Sequence, residues 1–215
     1  DIANPFFAET ARGASEEASR LGYTVLLCNT DERGEREAAI LRQLEAHRVD
    51  GILLVSSRLS DRQLERAMSQ WMPAVLLNRE VVPAPGRGCV VIDERQAMHK
   101  AVSHLLDRGH QRIGFVGCTA RSRSAQERLA GYHEAGQRMG AAWDPGWCTH
   151  SAPTVDGGRQ AAVELLGAHP ELTALLCYND LVAVGAVQAC RSLERPVPAG
   201  GAIVGWDDIP LARYL

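Results

Sequence analysis

The residues best suited to chemistry in this chain are the adjacent acids Asp207-Asp208 and two polar pairs that end apolar runs, Asn78-Arg79 and Asn179-Asp180. Paired carboxylates can serve as acid and base in glycoside cleavage. Neighbouring residues on an extended chain point in opposite directions, however, so these two do not converge on one bond. His99 and His104 are five apart and fall on different faces of a helix, which argues against a shared metal ion. The six cysteines, Cys28, Cys89, Cys118, Cys148, Cys177 and Cys190, include no Cys-x-x-Cys pair and no zinc-ligand spacing. Four of them lie in or beside apolar runs, as buried free thiols of a reducing compartment do. The chain also lacks a Gly-x-Gly-x-x-Gly turn after a strand, a phosphate-binding Gly-Lys-Ser/Thr loop and a Gly-x-Ser-x-Gly elbow. These residues therefore suit binding better than catalysis, and no catalytic residue, metal or cofactor is expected.

The elements that must position them follow from the apolar pattern. Short runs rich in Val, Ile and Leu alternate with stretches of helical period, the signature of βαβ units around a parallel sheet. Strands are expected at Thr24–Cys28, Gly51–Val55, Ala74–Leu77, Cys89–Ile92, Arg112–Gly117, Ala174–Tyr178 and Ala202–Gly205. Helices are expected at Arg36–His47, Ser60–Trp71, Glu94–Arg108, Ser124–Met139, Asp156–Ala168 and Asp180–Cys190. An opening helix should turn Phe7, Ala11, Ala14, Ala18 and Leu21 inward and close on Gly22. Gly109 and Gly140 punctuate two helix ends, the segment from Pro83 to Gly88 is the clearest loop, and Asp144-Pro145-Gly146 signals a turn. The order starts on a helix, so the alternation implies a strand before it.

Length and charge bound the class. A chain of 215 residues can hold one large domain or two lobes, with a real core in either case. Hydrophobic residues make up 46% and charged residues 23%, and no apolar run reaches the ~20 residues of a membrane span. A net charge of −3, a single lysine (Lys100) and scattered arginines argue against this segment gripping DNA unaided.

Six local patterns then coincide. They are Asn4-Pro5-Phe6-Phe7, Val49-Asp50-Gly51-Ile52-Leu53-Leu54, and His104-Leu105-Leu106-x-x-Gly109-His110-x-x-Ile113-Gly114-Phe115-Val116, then Arg128-Leu129-Ala130-Gly131-Tyr132, Tyr178-Asn179-Asp180-Leu181-Val182-Ala183-x-Gly185 and Val204-Gly205-Trp206-Asp207-Asp208-Ile209-Pro210. In this order and spacing the set resembles the lactose/galactose-repressor family of transcriptional regulators across essentially the whole chain. The resemblance implies an α/β fold of the type I periplasmic-binding-protein kind: two Rossmann-like lobes with parallel sheets and an effector in the cleft. The lobes would divide as residues 1–93 and 94–215, with a strand before the chain and a second crossover after it. The implied function is the effector-sensing domain of a cytoplasmic repressor that works as a homodimer. DNA would be bound through a helix-turn-helix headpiece lying outside this chain, with no membrane partner. The alternative of the same fold is a periplasmic sugar-binding protein. A dehydrogenase comes third, since its glycine fingerprint is absent.

In open α/β sheets ligands sit beyond the carboxyl ends of strands, so residues there carry the most weight. The resemblance places Phe6 and Phe7 against the effector, where an aromatic face stacks on a sugar ring or a base, and one of the two is expected in the core instead. It places Asn78 where relatives often have an acid. Ser122, Ser124 and Arg128 follow the Arg112–Gly117 strand, with Arg128 offering a fork of hydrogen bonds in contrast to the surface residues Arg121 and Arg123. Asn179 and Asp207 stand at strand ends as ligand contacts, whereas Asp93 and Asp180 are expected to cap helices. Pro153 stands where better-known relatives place an aromatic, which counts against a stacked purine. The polar set suggests a sugar or similar polyol.

Overall fold

The computed structural model describes residues 1–70, 73–80, 82, 84–118, 122–138 and 143–214. Trp71, Pro83, Arg121, Met139 and Gly140, named above in element, loop or surface assignments, lie outside the described residues. The chain forms two compact units, Asp1–Ile92 and Asp93–Leu215.

The first unit opens with helix α1 (Pro5–Arg20), whose N-terminus is set by Asn4 accepting a bond from the Phe6 amide and by Pro5 in the first turn. Gly22, at φ 82°, turns the chain away after it. Helix α2 (Gly34–Ala46), strand β1 (Ile52–Val55), helix α3 (Asp61–Gln70), and strands β2 (Ala74–Leu77) and β3 (Arg87–Val90) follow. The strands form a parallel sheet in the order β1-β2-β3, with Ile52 beside Ala74 and Ala74 beside Arg87. Leu41, Leu64 and Met68 of the helices pack on Ile52, Ala74 and Leu76. Burying a Leu or Met fully contributes ~1.5–3 kcal/mol, and Met68 and Leu76 are both 0% exposed.

Three expectations for this unit need correction. Residues 24–28 form no strand: an apolar run supplies side chains for a sheet but not the neighbouring ladder, and Leu26 is 62% exposed. Neither Phe6 nor Phe7 is a core residue. No residue of α1 is buried, although the stripe Phe7, Ala11, Ala14 and Ala18 is half-buried amid exposed neighbours. The strand expected at Cys89–Ile92 starts two residues earlier, at Arg87.

The second unit contains helix α4 (Glu94–Asp107), strand β4 (Ile113–Cys118), helix α5 (Arg123–Arg138), strand β5 (Cys148–Ser151), helix α6 (Val155–Ala168), strand β6 (Ala174–Cys177), helix α7 (Asp180–Ser192) and strand β7 (Ala202–Val204). The sheet is parallel, ordered β5-β4-β6-β7. Alternation along β4 and β6 divides the core. Ile113, Phe115, Ala174 and Leu176 pack with Met98, Val102, Leu105 and Tyr132 of α4 and α5. Val116, Cys118, Leu175 and Cys177 pack with Ala162, Leu165, Val182 and Ala186 of α6 and α7. All six residues of β4 are buried, as a central strand covered on both faces requires.

Close packing fixes the helices. A side chain at Gly158 would meet the Val182 carbonyl at 2.5 Å, and one at Gly185 would meet the Arg159 amide at 2.5 Å, so α6 and α7 approach backbone to backbone. Trp143 fills the hollow over Gly136, 4.1 Å from the Tyr132 ring centroid. Asp93 caps α4, its carboxylate accepting from the Gln96 amide at 2.9 Å. No disulfide joins any of the six cysteines, all of which are described, and burial pushes the Cys148 thiol up to about 12 and raises those of Cys177 and Cys190 as well.

Candidate functional site

In each unit the polar residues cluster where strands end, and the backbone there is unusual. Ser56 follows β1 at φ 51°, Asn78 follows β2 at φ 57°, and Asp207 and Asp208 follow β7 at φ 102° and 54°. Such left-handed residues cost energy unless Gly, and concentrate where a fold must aim a side chain.

In the first unit the Asn78 side-chain amide donates to Ser56 Oγ at 3.2 Å, joining the ends of β1 and β2. The segment beneath them is held from two sides. Buried Glu37 of α2 accepts from the Ser57 hydroxyl, and from the Arg58 amide at 2.9 Å. Arg79 donates to the Leu59 carbonyl at 3.0 Å and pairs with Asp61 at 2.7 Å. Phe6 and Phe7 meet edge to face with centroids 5.2 Å apart, both half-buried at the start of α1. Ser56 escaped the sequence reading, although it obeys the same rule as Asn78: it is the first polar residue after the apolar run Ile52–Val55.

In the second unit the crossover after β4 leads to β5 on one side of it, while β6 and β7 lie on the other. The ends of β4 and β6 therefore flank a topological switch point, where α/β sheets bind ligands. Ser122 and Tyr178 bond across these ends at 3.1 Å, and Ser122 Oγ also accepts from the Ala125 amide to start α5. Ser124 is half-buried in the first turn of that helix. Arg128, with only 6% of its side chain exposed, donates from Nε to Glu94 at 2.8 Å, from a second nitrogen to the same carboxylate at 3.1 Å, and to the Tyr178 carbonyl. Its guanidinium lies 4.9 Å from the Tyr178 ring centroid and 4.4 Å from that of Trp206. The residues it stacks on immediately precede Asn179 and Asp207, so one side chain braces both strand-end turns.

The helix cap expected of Asp180 is supplied by its neighbour Asn179. Asn179 caps α7 by accepting from the Val182 amide at 2.9 Å. Asp180 does not cap that helix. Its carboxylate turns instead to the segment after β7 and accepts from the Ile209 amide at 2.9 Å, while its own amide donates to the Trp206 carbonyl at 2.8 Å. Burial raises its carboxyl pKa, and the amides of Ile209, Trp206 and Asp208 oppose the rise by favouring the charged form. Among the described residues no group of three or more His, Cys, Asp and Glu side chains is placed to hold a metal ion.

Comparison with known proteins agrees with this geometry. Residues 1–206 match the family described as periplasmic binding proteins and sugar binding domain of LacI family. The chain is 34% identical to the HTH-type transcriptional regulator GalS of Salmonella typhimurium, covering 100% of this chain and 63% of that protein. It is 31% identical to the HTH-type transcriptional repressor CytR of Escherichia coli, over 100% of this chain and 62% of the relative. It thus spans less than two thirds of the length of these relatives. The crystal structure of transcription regulator GntR from Chromobacterium violaceum superposes with a TM-score of 0.86 at 29% identity, over 100% of this chain and 79% of that one. With a doubly covered parallel sheet in the second unit, polar strand ends in both and a family match over nearly its full length, the chain belongs to the family of periplasmic binding proteins and LacI-type sugar-binding domains.

Proposed function

We propose that this chain is the effector-sensing domain of a DNA-binding transcription regulator, and that it binds a sugar or similar polyol without transforming it. The observation that carries the reading is that polar residues end strands in each unit by itself, Asn78 after β2 in the first and Asn179 and Asp207 after β6 and β7 in the second, with Asn78 and Asp207 aimed by left-handed backbone. Asn78, Ser122, Ser124, Asn179 and Asp207 supply donors and acceptors for hydroxyls, and Phe6 and Phe7 an apolar face for a sugar ring. Arg128 carries five donors against the three bonds described above, so it can brace the turns and still offer a hydrogen bond. The relatives are named as transcriptional regulators and a repressor, which favours the regulatory reading over a periplasmic uptake protein. A regulator of this kind works in the cytoplasm as a homodimer and reaches DNA through a helix-turn-helix segment outside these residues. The effector acts by binding one conformational state better than another.

Titration calorimetry of the chain against a panel of aldohexoses, pentoses and nucleosides tests the binding half. Saturable binding of a sugar, lost in Asp207→Ala, is the expected result. No binding across the panel, or binding unchanged in both Asp207→Ala and Asn78→Ala, rejects the site.

A further inference from the structure

Asp180 is a carboxylate at the start of a helix that it does not cap, because Asn179 already serves that end. Its contacts run to the other side of the turn after β7. Its amide holds the Trp206 carbonyl at 2.8 Å and its Oδ2 holds the Ile209 amide at 2.9 Å. Its Oδ1 occupies the space that a side chain at residue 205 would need, so Gly205 is required by the carboxylate rather than by its own backbone angles. Ile209 is 2% exposed, which fixes the far end of the turn in the core. Residues 205 and 209 are thereby tied to one side chain, and the three residues between them form a bow in which Asp207 and Asp208 both take positive φ.

We propose that Asp180 is a positioning residue that clamps the 205–209 turn and so aims Asp207 at the effector. The clamp offsets the conformational cost of two consecutive non-glycine residues in the left-handed region, which would otherwise relax to extended backbone. Its effect on affinity rests on the reading of Asp207 as an effector contact, whereas its effect on the turn does not. The clamp also differs from a helix cap in what its loss releases: a missing cap frees the first turn of α7, and a missing clamp frees residues 206–209.

Amide hydrogen exchange followed by NMR separates these. In Asp180→Ala and Asp180→Asn, exchange at Trp206, Asp208 and Ile209 is expected to rise at least ten-fold, with smaller effects in the Asn variant, while amides of α7 beyond its first turn keep their protection. Asn179→Ala should give the converse, exposing the Val182 amide and sparing Ile209. Protection at residues 206–209 unchanged in both Asp180 variants overturns the proposal, as does an increase confined to α7. Calorimetry with D-galactose, D-ribose and D-glucose as probes then reads the consequence. A bound sugar should lose at least ten-fold in affinity in Asp180→Asn, and the double variant with Asp207→Ala should lose no more than Asp207→Ala alone. Full additivity of the two losses refutes action through Asp207. Failure of the unaltered chain to bind any of the sugars counts against the proposed function, and the exchange data still decide the clamp.

Discussion

A carboxylate that accepts a ligand hydroxyl makes a charge-assisted hydrogen bond worth ~1.5–3 kcal/mol, so Asp207→Ala should weaken sugar binding about ten- to hundred-fold. Calorimetry measures this directly, and the thermal midpoint should move little, since Asp207 lies in a half-buried turn and not in the core. Arg128→Ala is a different experiment. Both members of the Arg128–Glu94 pair have 6% of their side chains exposed, and removing one leaves the other charged and desolvated. Such truncations cost about 3–5 kcal/mol, so this variant should lose stability as well as affinity. Replacing both residues together by Met and Leu should recover much of the stability in urea titration without recovering binding. At this scale the sequence was informative about position and less so about role. Asn78, Asn179 and Asp207 were legible as polar residues closing apolar runs, but the turn of Asp180 away from the helix it starts depends on the chain returning 29 residues later. No local pattern encodes that return.

Elements were legible where burial covers both faces and obscure where it does not. β4 and β6 were legible to within a residue at each end, expected at Arg112–Gly117 and Ala174–Tyr178 and found at Ile113–Cys118 and Ala174–Cys177, because every side chain in them is buried. β5 escaped notice because Cys148-Thr-His-Ser is polar, as an edge strand can be. Residues 24–28 misled for the opposite reason, being apolar without a ladder partner among the described residues. Helix packing supplies two tests. Gly136→Ala drives a methyl group into the Trp143 ring and should cost ~1–3 kcal/mol, seen as a lower urea midpoint with an unchanged slope. His133 lies 5.2 Å from the same ring, and burial lowers its pKa below the ordinary 6.5. A histidine depressed by folding contributes stability that is present above 6.5 and lost as the pH falls through its folded value. Acidification from above 6.5 down through that lowered value should therefore reduce the melting temperature of the unaltered chain more than that of His133→Gln, by calorimetric scans across the interval.

For the whole molecule, the decisive quantities are charge and length. The chain carries a net charge of −3 with one lysine in 215 residues, and phosphate binding requires clustered cations. Relatives named for helix-turn-helix regulation are longer, with the match covering 63% of GalS. If the proposed function is right, the intact gene product should bind an operator through a basic segment outside these residues, while this chain alone should not. The signature is the salt dependence. Each neutralised phosphate steepens the fall of log affinity with log salt by about 0.9, so a headpiece making several phosphate contacts gives a slope of several units. The effector should shift affinity at fixed salt while leaving that slope nearly unchanged, because it alters the population of the binding-competent state rather than the contacts made within it. Fluorescence anisotropy of a labelled operator, titrated with the intact protein at several salt concentrations with and without the bound sugar, measures both terms together. An intact protein whose DNA affinity is flat with salt and blind to every sugar that binds this chain would remove the regulatory reading and leave a sugar-binding protein of the same fold.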